Sequence, residues 1–170
     1  RLPPPSQAAL VSGGRAFLAL AARLGITSIQ EVMATPSLLD AYAALEAQGE
    51  LTVRVRAAIL CDAERPGAAL SEAVALRAQY ASRLIHPEAV KFFLDGVVDA
   101  HTACLIEPYA DQPGYRGEPL WAREMLLPLV AALDAERFQI HIHAVGDGAV
   151  RLSLDSLEHA MRRNGRRASR

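Results

Sequence analysis

Lysine is almost missing from this chain of 170 residues: of its 18 basic side chains Lys91 is the one lysine, and every other is arginine. This suggests a strong bias toward arginine wherever a cation of either kind would serve, and the single exception falls inside an apolar strand. Cysteine is scarce too. Cys61 and Cys104 are two residues far apart, which argues against a disulfide framework and reads as free thiols. The formal net charge is -1, and nothing in the composition points to nucleic acid as a partner. Long apolar runs are also lacking: Arg, Glu or Asp interrupts each well before the ~20 residues that a membrane span needs. The opening Arg1-Leu2-Pro3-Pro4-Pro5-Ser6 does not form a secretory signal, and a cytoplasmic setting is the expectation.

What is present is the composition of a soluble globular domain, with hydrophobic residues at 51%, enough to fill one ordinary core. Ser6 is placed to cap a helix carrying Leu10, Leu18 and Ala21, and Gly25 stands where a left-handed terminal residue is wanted. A strand is expected over Ile26–Val32, then a helix opened by Thr35-Pro36 and stopped at Gly49, then a strand over Leu51–Leu60 whose Arg54 and Arg56 read as rim charges. After the turn-rich stretch from Asp62 to Ala69, Ser71 is expected to cap a helix that reaches Leu84. His86-Pro87-Glu88 then reads as a break, with His86 in a solvated loop, and the next strand as Ala89–Leu94.

The segment from Gly96 to Pro119 is long for a connection without secondary structure, the mark of a lid or binding loop. A helix beginning near Trp121, a strand over Phe138–His143 and a helix capped by Asp147 and stopped at Asn164-Gly165 complete the chain, with His159 a surface residue. Four strands alternating with helices define an α/β fold with a parallel sheet. No internal repeat, low-complexity tract or linker divides it.

Two stretches concentrate the chemistry: Val90-Lys-Phe-Phe-Leu-Asp-Gly96 and His141-Ile-His-Ala-Val-Gly-Asp147. Each reads as a buried strand running into a glycine-containing turn, and each sets polar side chains among apolar ones, where they are costly without partners. Two readings of Lys91 are open. A buried lysine can lose its proton to become a nucleophile or, after reaction with carbon dioxide, a metal-binding carbamate; it can equally be a snorkelling or salt-bridged residue beside Asp95. Residues two apart on a strand share a face ~6.6 Å apart, so His141 pairs with His143, and Lys91 with Phe93 and Asp95. His143, nearer its strand end, is the better ligand; His141 reads as a second ligand, an orienting partner or a core histidine. The third position of a histidine-triad motif is Val145, which argues against that class.

With these residues set out, the chain resembles the amidohydrolase superfamily, and within it the amidohydrolase family 3, or YtcJ-like, group. The resemblance rests on Gly25-Ile-Thr-Ser-Ile-Gln-Glu31, on the two stretches above, and on Glu107-Pro-Tyr-Ala-Asp111 with Gly117-Glu-Pro-Leu-Trp121, in the family's order over nearly the whole chain. It implies a partial (β/α)8 TIM-type barrel, approximately strands two to five, with residues 1–170 forming the central part of the catalytic barrel. It implies one or two divalent metals, most commonly zinc, that activate a water for attack on the C-N bond of a small-molecule amide, N-formyl, carbamate or cyclic amide substrate. By match of motif Lys91 would be the strand-four residue that can be carboxylated to bridge metals, and His143 the strand-five ligand, with His141 a less secure third. Asp95 and Asp147 would support the site or cap elements, and His101, Tyr109 and Arg116 would be loop contacts to substrate.

The family pattern also calls for an HxH pair on a first strand, a histidine on a sixth and a general acid/base aspartate on an eighth, and no such elements are found here. The chain stops at Arg166-Arg167-Ala168-Ser169-Arg170, just after a helix, and the expectation is a segment truncated at both ends and inactive alone. The rival expectation is a non-catalytic half barrel that pairs its sheet edges with the missing half or with a second copy. A small α/β binding domain of unrelated fold, with a structural Lys91, is the third.

Overall fold

Helices and strands alternate as α1 (Gln7–Arg23), β1 (Ser28–Ala34), α2 (Pro36–Ala47), β2 (Arg54–Leu60), α3 (Ala69–Tyr80), β3 (Ile85–Phe93), α4 (Arg123–Ala135), β4 (Gln139–His143) and α5 (Asp147–Asn164). The computed structural model describes residues 3–166; the expectations placed on Arg1-Leu2 and on residues 167–170 lie outside the described residues. The strands form one parallel sheet in the order β1-β2-β3-β4, the α/β arrangement of part of a (β/α)8 barrel. The chain divides into two units, Arg1–Leu60 with Ala73–Ala89 and Cys61–Glu72 with Val90–Arg170. No helix among the described residues is long and apolar enough to cross a membrane.

In the first unit the helix ends decide where strands begin. Ser6 Oγ accepts from the Ala9 N–H at 3.2 Å, and Thr35 Oγ1 from the Leu38 N–H at 3.4 Å with Pro36 at the first helical position, so both N-caps stand as expected. At the end of α1, Gly25 takes φ 70°, and the N–H groups of Gly25 and Ile26 donate to Ala22 O and Ala21 O. The Ile26 N–H is therefore occupied by the helix, and β1 starts at Ser28 instead of Ile26. The end of α2 repeats the device. Gly49 takes φ 73°, Glu50 and Leu51 both donate to Leu45 O, and β2 starts at Arg54 instead of Leu51. Leu39, Leu45, Val53, Val55 and Ile85 form the buried centre of this unit.

α3 begins at Ala69, directly after a 3-10 turn over Pro66–Ala68, and Ser71 is not its cap. The Ser71 hydroxyl donates to the Ala68 carbonyl at 3.0 Å from inside the first turn, so the turn has taken the capping role. The helix stops at Tyr80, four residues early, because Ser82 and Ile85 close a turn on each other. β3 then starts at Ile85 and runs through His86-Pro87-Glu88, where the sequence predicts a break and a solvated loop for His86. The reason is local: proline fixes its own φ and pushes the residue before it into extended backbone, which a strand accepts as readily as a loop.

In the second unit α4 ends as α1 does, with Arg137 at φ 68° and the Phe138 N–H donating to Leu133 O, so β4 starts at Gln139. Arg123 of α4 pairs with Asp155 of α5 at 2.6 Å, and Asn164 Nδ2 donates to Ala131 O at 2.7 Å. Phe92 meets the Trp121 ring edge-on at 5.1 Å.

Candidate functional site

Lys91 lies in the most buried part of β3, only 6% exposed, between Val90 and Phe92. The strand alternation sets Lys91 and Phe93 on one face, and the Lys91 Nζ sits 4.6 Å from the centroid of the Phe93 ring. Among the described residues no carboxylate lies within ion-pair distance of it, so the salt bridge to Asp95 does not form. Burial pushes the Lys91 amine below the ordinary lysine range.

β4 brings its two histidines to the same neighbourhood. The His143 ring centroid is 5.2 Å from that of Phe93, and its Nε2 lies 3.1 Å from the Gly96 carbonyl oxygen. A carbonyl only accepts, so Nε2 carries the proton and Nδ1 is left as the ring's free lone pair. The His141 Nδ1 is buried with no hydrogen-bond partner. Burial first, and the Lys91 charge second, push the His141 pKa down, so this ring is held neutral. Lys91, Phe93, His141 and His143 are thus brought together.

Asp95, 2% exposed, follows the end of β3, and its carboxylate is engaged with backbone. Its Oδ1 accepts from the Val145 N–H at 2.9 Å, and its Oδ2 from Cys104 at 2.9 Å and Gly146 at 2.8 Å. Asp147 does not cap α5: Gly146 is the N-cap, and Asp147, the first helical residue, accepts from the Ile106 N–H at 2.8 Å and from Gly148 at 2.9 Å. His101 takes φ 52°, pairs its Nε2 with Asp111 Oδ2 at 2.9 Å, and lies 4.7 Å from the Tyr109 ring. Arg116 donates to Ile106 O at 2.6 Å.

The long segment after Gly96 is knitted to its surroundings. Gly96 donates to Thr102 O, Leu105 to Arg116 O at 2.7 Å, the Tyr109 hydroxyl to Ala103 O at 2.8 Å, and Ala149 of α5 to Cys104 O. A Cβ on Gly146 would overlap the Cys104 carbonyl, so the contact depends on glycine there. The sequence reading missed the Gly96 carbonyl and the Asp95 grip; the close pair Gly146 and Gly148 around Asp147 was the signal of a tight backbone approach.

The buried His141 Nδ1, which has no hydrogen-bond partner, and the His143 Nδ1, left open by the bond from Nε2 to Gly96, are the imidazole donors in this neighbourhood. They fit a metal as part of a ligand set. Among the described residues no three His, Cys, Asp or Glu side chains come together to hold one.

The sequence pattern of the amidohydrolase family matches residues 2–170, and the chain belongs to that family. It is 30% identical over 135 residues to the exoenzymes regulatory protein AepA of Pectobacterium carotovorum subsp. carotovorum, covering 78% of this chain and 29% of AepA. It is 35% identical over 78 residues to YtcJ of Bacillus subtilis (strain 168), covering 46% of this chain and 15% of YtcJ. The crystal structure of an uncharacterised metal-dependent hydrolase from Pyrococcus horikoshii OT3 matches it with a TM-score of 0.71 at 26% identity, over 91% of this chain and 31% of that one. The chain spans less than a third of the length of each of these proteins.

Proposed function

We propose that this chain carries the lysine and histidine side of a metal-dependent hydrolase centre, with Lys91 and His143 as ligands and His141 as a third donor. The observation that supports it best is a buried Lys91 amine whose neighbours are an aromatic ring and a neutral imidazole, with no anion at hand. An isolated buried ammonium is strongly disfavoured. Burial raises the fraction of free amine, whose nitrogen lone pair attacks carbon dioxide; an N–C bond forms, a C=O π bond opens onto oxygen, and one nitrogen-bound proton leaves. The product is a carbamate, an anion that in these apolar surroundings would itself need a cation, the part the metal would play.

His143 contributes a fixed lone pair at Nδ1, because the Gly96 carbonyl holds its other nitrogen protonated. A divalent metal bound there, zinc first among them, would supply the acidity that turns a water into a nucleophile near neutral pH and polarises the carbonyl of an amide, N-formyl, carbamate or cyclic amide substrate. Lys91 and the two histidines are a partial ligand set, so this chain alone would not turn over substrate.

The test is carbon-13 NMR of the protein equilibrated with labelled bicarbonate. A carbamate resonance present in the parent and lost in Lys91→Ala is the expected result, and no such resonance at any bicarbonate concentration contradicts the role of Lys91.

A further inference from the structure

Three consecutive residues, Leu94, Asp95 and Gly96, hold His143 and the turn that follows it. The Leu94 N–H donates to the His143 main-chain carbonyl at 2.9 Å, and the Gly96 carbonyl accepts from its ring at 3.1 Å. Between them, Asp95 holds the N–H groups of Val145 and Gly146, the second and third residues after the histidine, and that of Cys104 in the returning loop. All three bonds are 2.8–2.9 Å, and Asp95 is buried. From these contacts we infer that Asp95 is a positioning residue: its carboxylate fixes the turn after β4 against the end of β3, and thereby keeps the His143 ring in register with the Gly96 carbonyl that sets its tautomer.

The chemistry requires a carboxylate. Three N–H groups converge on its two oxygens, from two sides, and a carboxylate is acceptor-only on both. An asparagine of the same shape offers one oxygen; its amide nitrogen must then face either Val145 or the Cys104 and Gly146 pair, donor against donor. Leaving a buried N–H unpaired is costly, so the turn shifts, and the two-point hold on His143 opens. Glycine at 146 and 148 permits the close approach of the Cys104 backbone that brings the third donor in.

The inference rests on the proposed role of His143 only where metal affinity is the readout, so the test has two arms, both on the whole chain with Asp95→Asn. The first is nitrogen-15 NMR of the imidazole rings in chelator-treated protein. The parent should show His143 as the single Nε2–H tautomer, and the folded variant a mixture of tautomers. The second is zinc affinity by chelator competition, expected to weaken by about tenfold or more, as loss of a support behind a ligand does. If neither the parent nor the longest natural form of the protein binds zinc, the metal reading fails, and the tautomer arm alone decides on Asp95. A variant that melts earlier yet keeps the single tautomer and the parent's zinc affinity overturns the inference, since a merely structural role would do that. Should the variant not fold, amide exchange in the parent decides: Cys104, Val145 and Gly146 protected as well as the β4 amides supports the grip, and exchange at exposed-loop rates overturns it.

Discussion

The Lys91 ammonium nitrogen lies 4.6 Å from the centroid of the Phe93 ring, on a strand face where no carboxylate among the described residues reaches it. A cation in this setting costs the fold free energy. In chelator-treated protein Lys91→Met, close to isosteric and uncharged, should hold or raise stability by about 1 kcal/mol at neutral pH. Burial lowers the folded-state pKa of Lys91, so the unfolded chain holds that proton more tightly. Parent stability therefore rises with pH across the window that ends at the ordinary lysine value, and the gap to Lys91→Met closes there. Urea melts at stepped pH read both effects, and a loss above about 2 kcal/mol in the variant would show that the charge is used by the fold.

His141 gives the opposite edge of the pH range. Its pKa is lowered by burial and by the Lys91 charge, so the unfolded chain takes up a proton before the folded one does. Stability should fall as pH drops from about 7 to about 5, through the ordinary histidine value. In His141→Phe the part of that slope due to this ring disappears. An unchanged slope would mean that other groups carry it.

Steric fit around the Cys104 backbone makes a third test. Gly146→Ala sets a Cβ into the Cys104 carbonyl and should cost about 1–3 kcal/mol. Gly13, within α1, has open space where a Cβ would go, and Gly13→Ala should instead stabilise by about 0.5–1 kcal/mol through helix propensity. Thermal melting of the two variants should give shifts of opposite sign.

The thiols should be inert. Burial, and then the Glu72 charge, push Cys61 up to about 12, and burial with Asp95 and Asp147 raises Cys104 as well. Little thiolate exists on either at about pH 8, so iodoacetamide should label both slowly until denaturant is added. Mass spectrometry of the alkylated protein reads this directly, and fast labelling of Cys61 in the folded chain would contradict its burial.

The alternation of helices and strands, the Ser6 and Thr35 caps, and the burial of Lys91 within a strand could all be read from the sequence, because each depends on residues close together in the chain. Boundaries could not. Ile26, Leu51 and Phe138 have strand-like side chains, yet the helix before each takes its N–H for a C-terminal closure, a competition that apolar patterning does not register. Ser71 looks like a cap and Pro87 like a breaker, but a 3-10 turn precedes Ser71 and the extended backbone of β3 accommodates Pro87. At the site, HxH and the lone lysine were legible as candidates, but not what orients them. Gly96 acts through its carbonyl and Asp95 through backbone N–H groups up to 51 residues away, and main-chain partners leave no residue type to recognise.

Metal content, measured by plasma mass spectrometry on the parent chain and on Lys91→Ala and His143→Ala purified without chelators, decides whether the ends of β3 and β4 meet at one ion. Bound zinc or another divalent metal is expected in the parent, lost in both variants while their folds persist. A parent that carries no metal, here and in the longest natural form of the protein, would contradict the proposed metal centre.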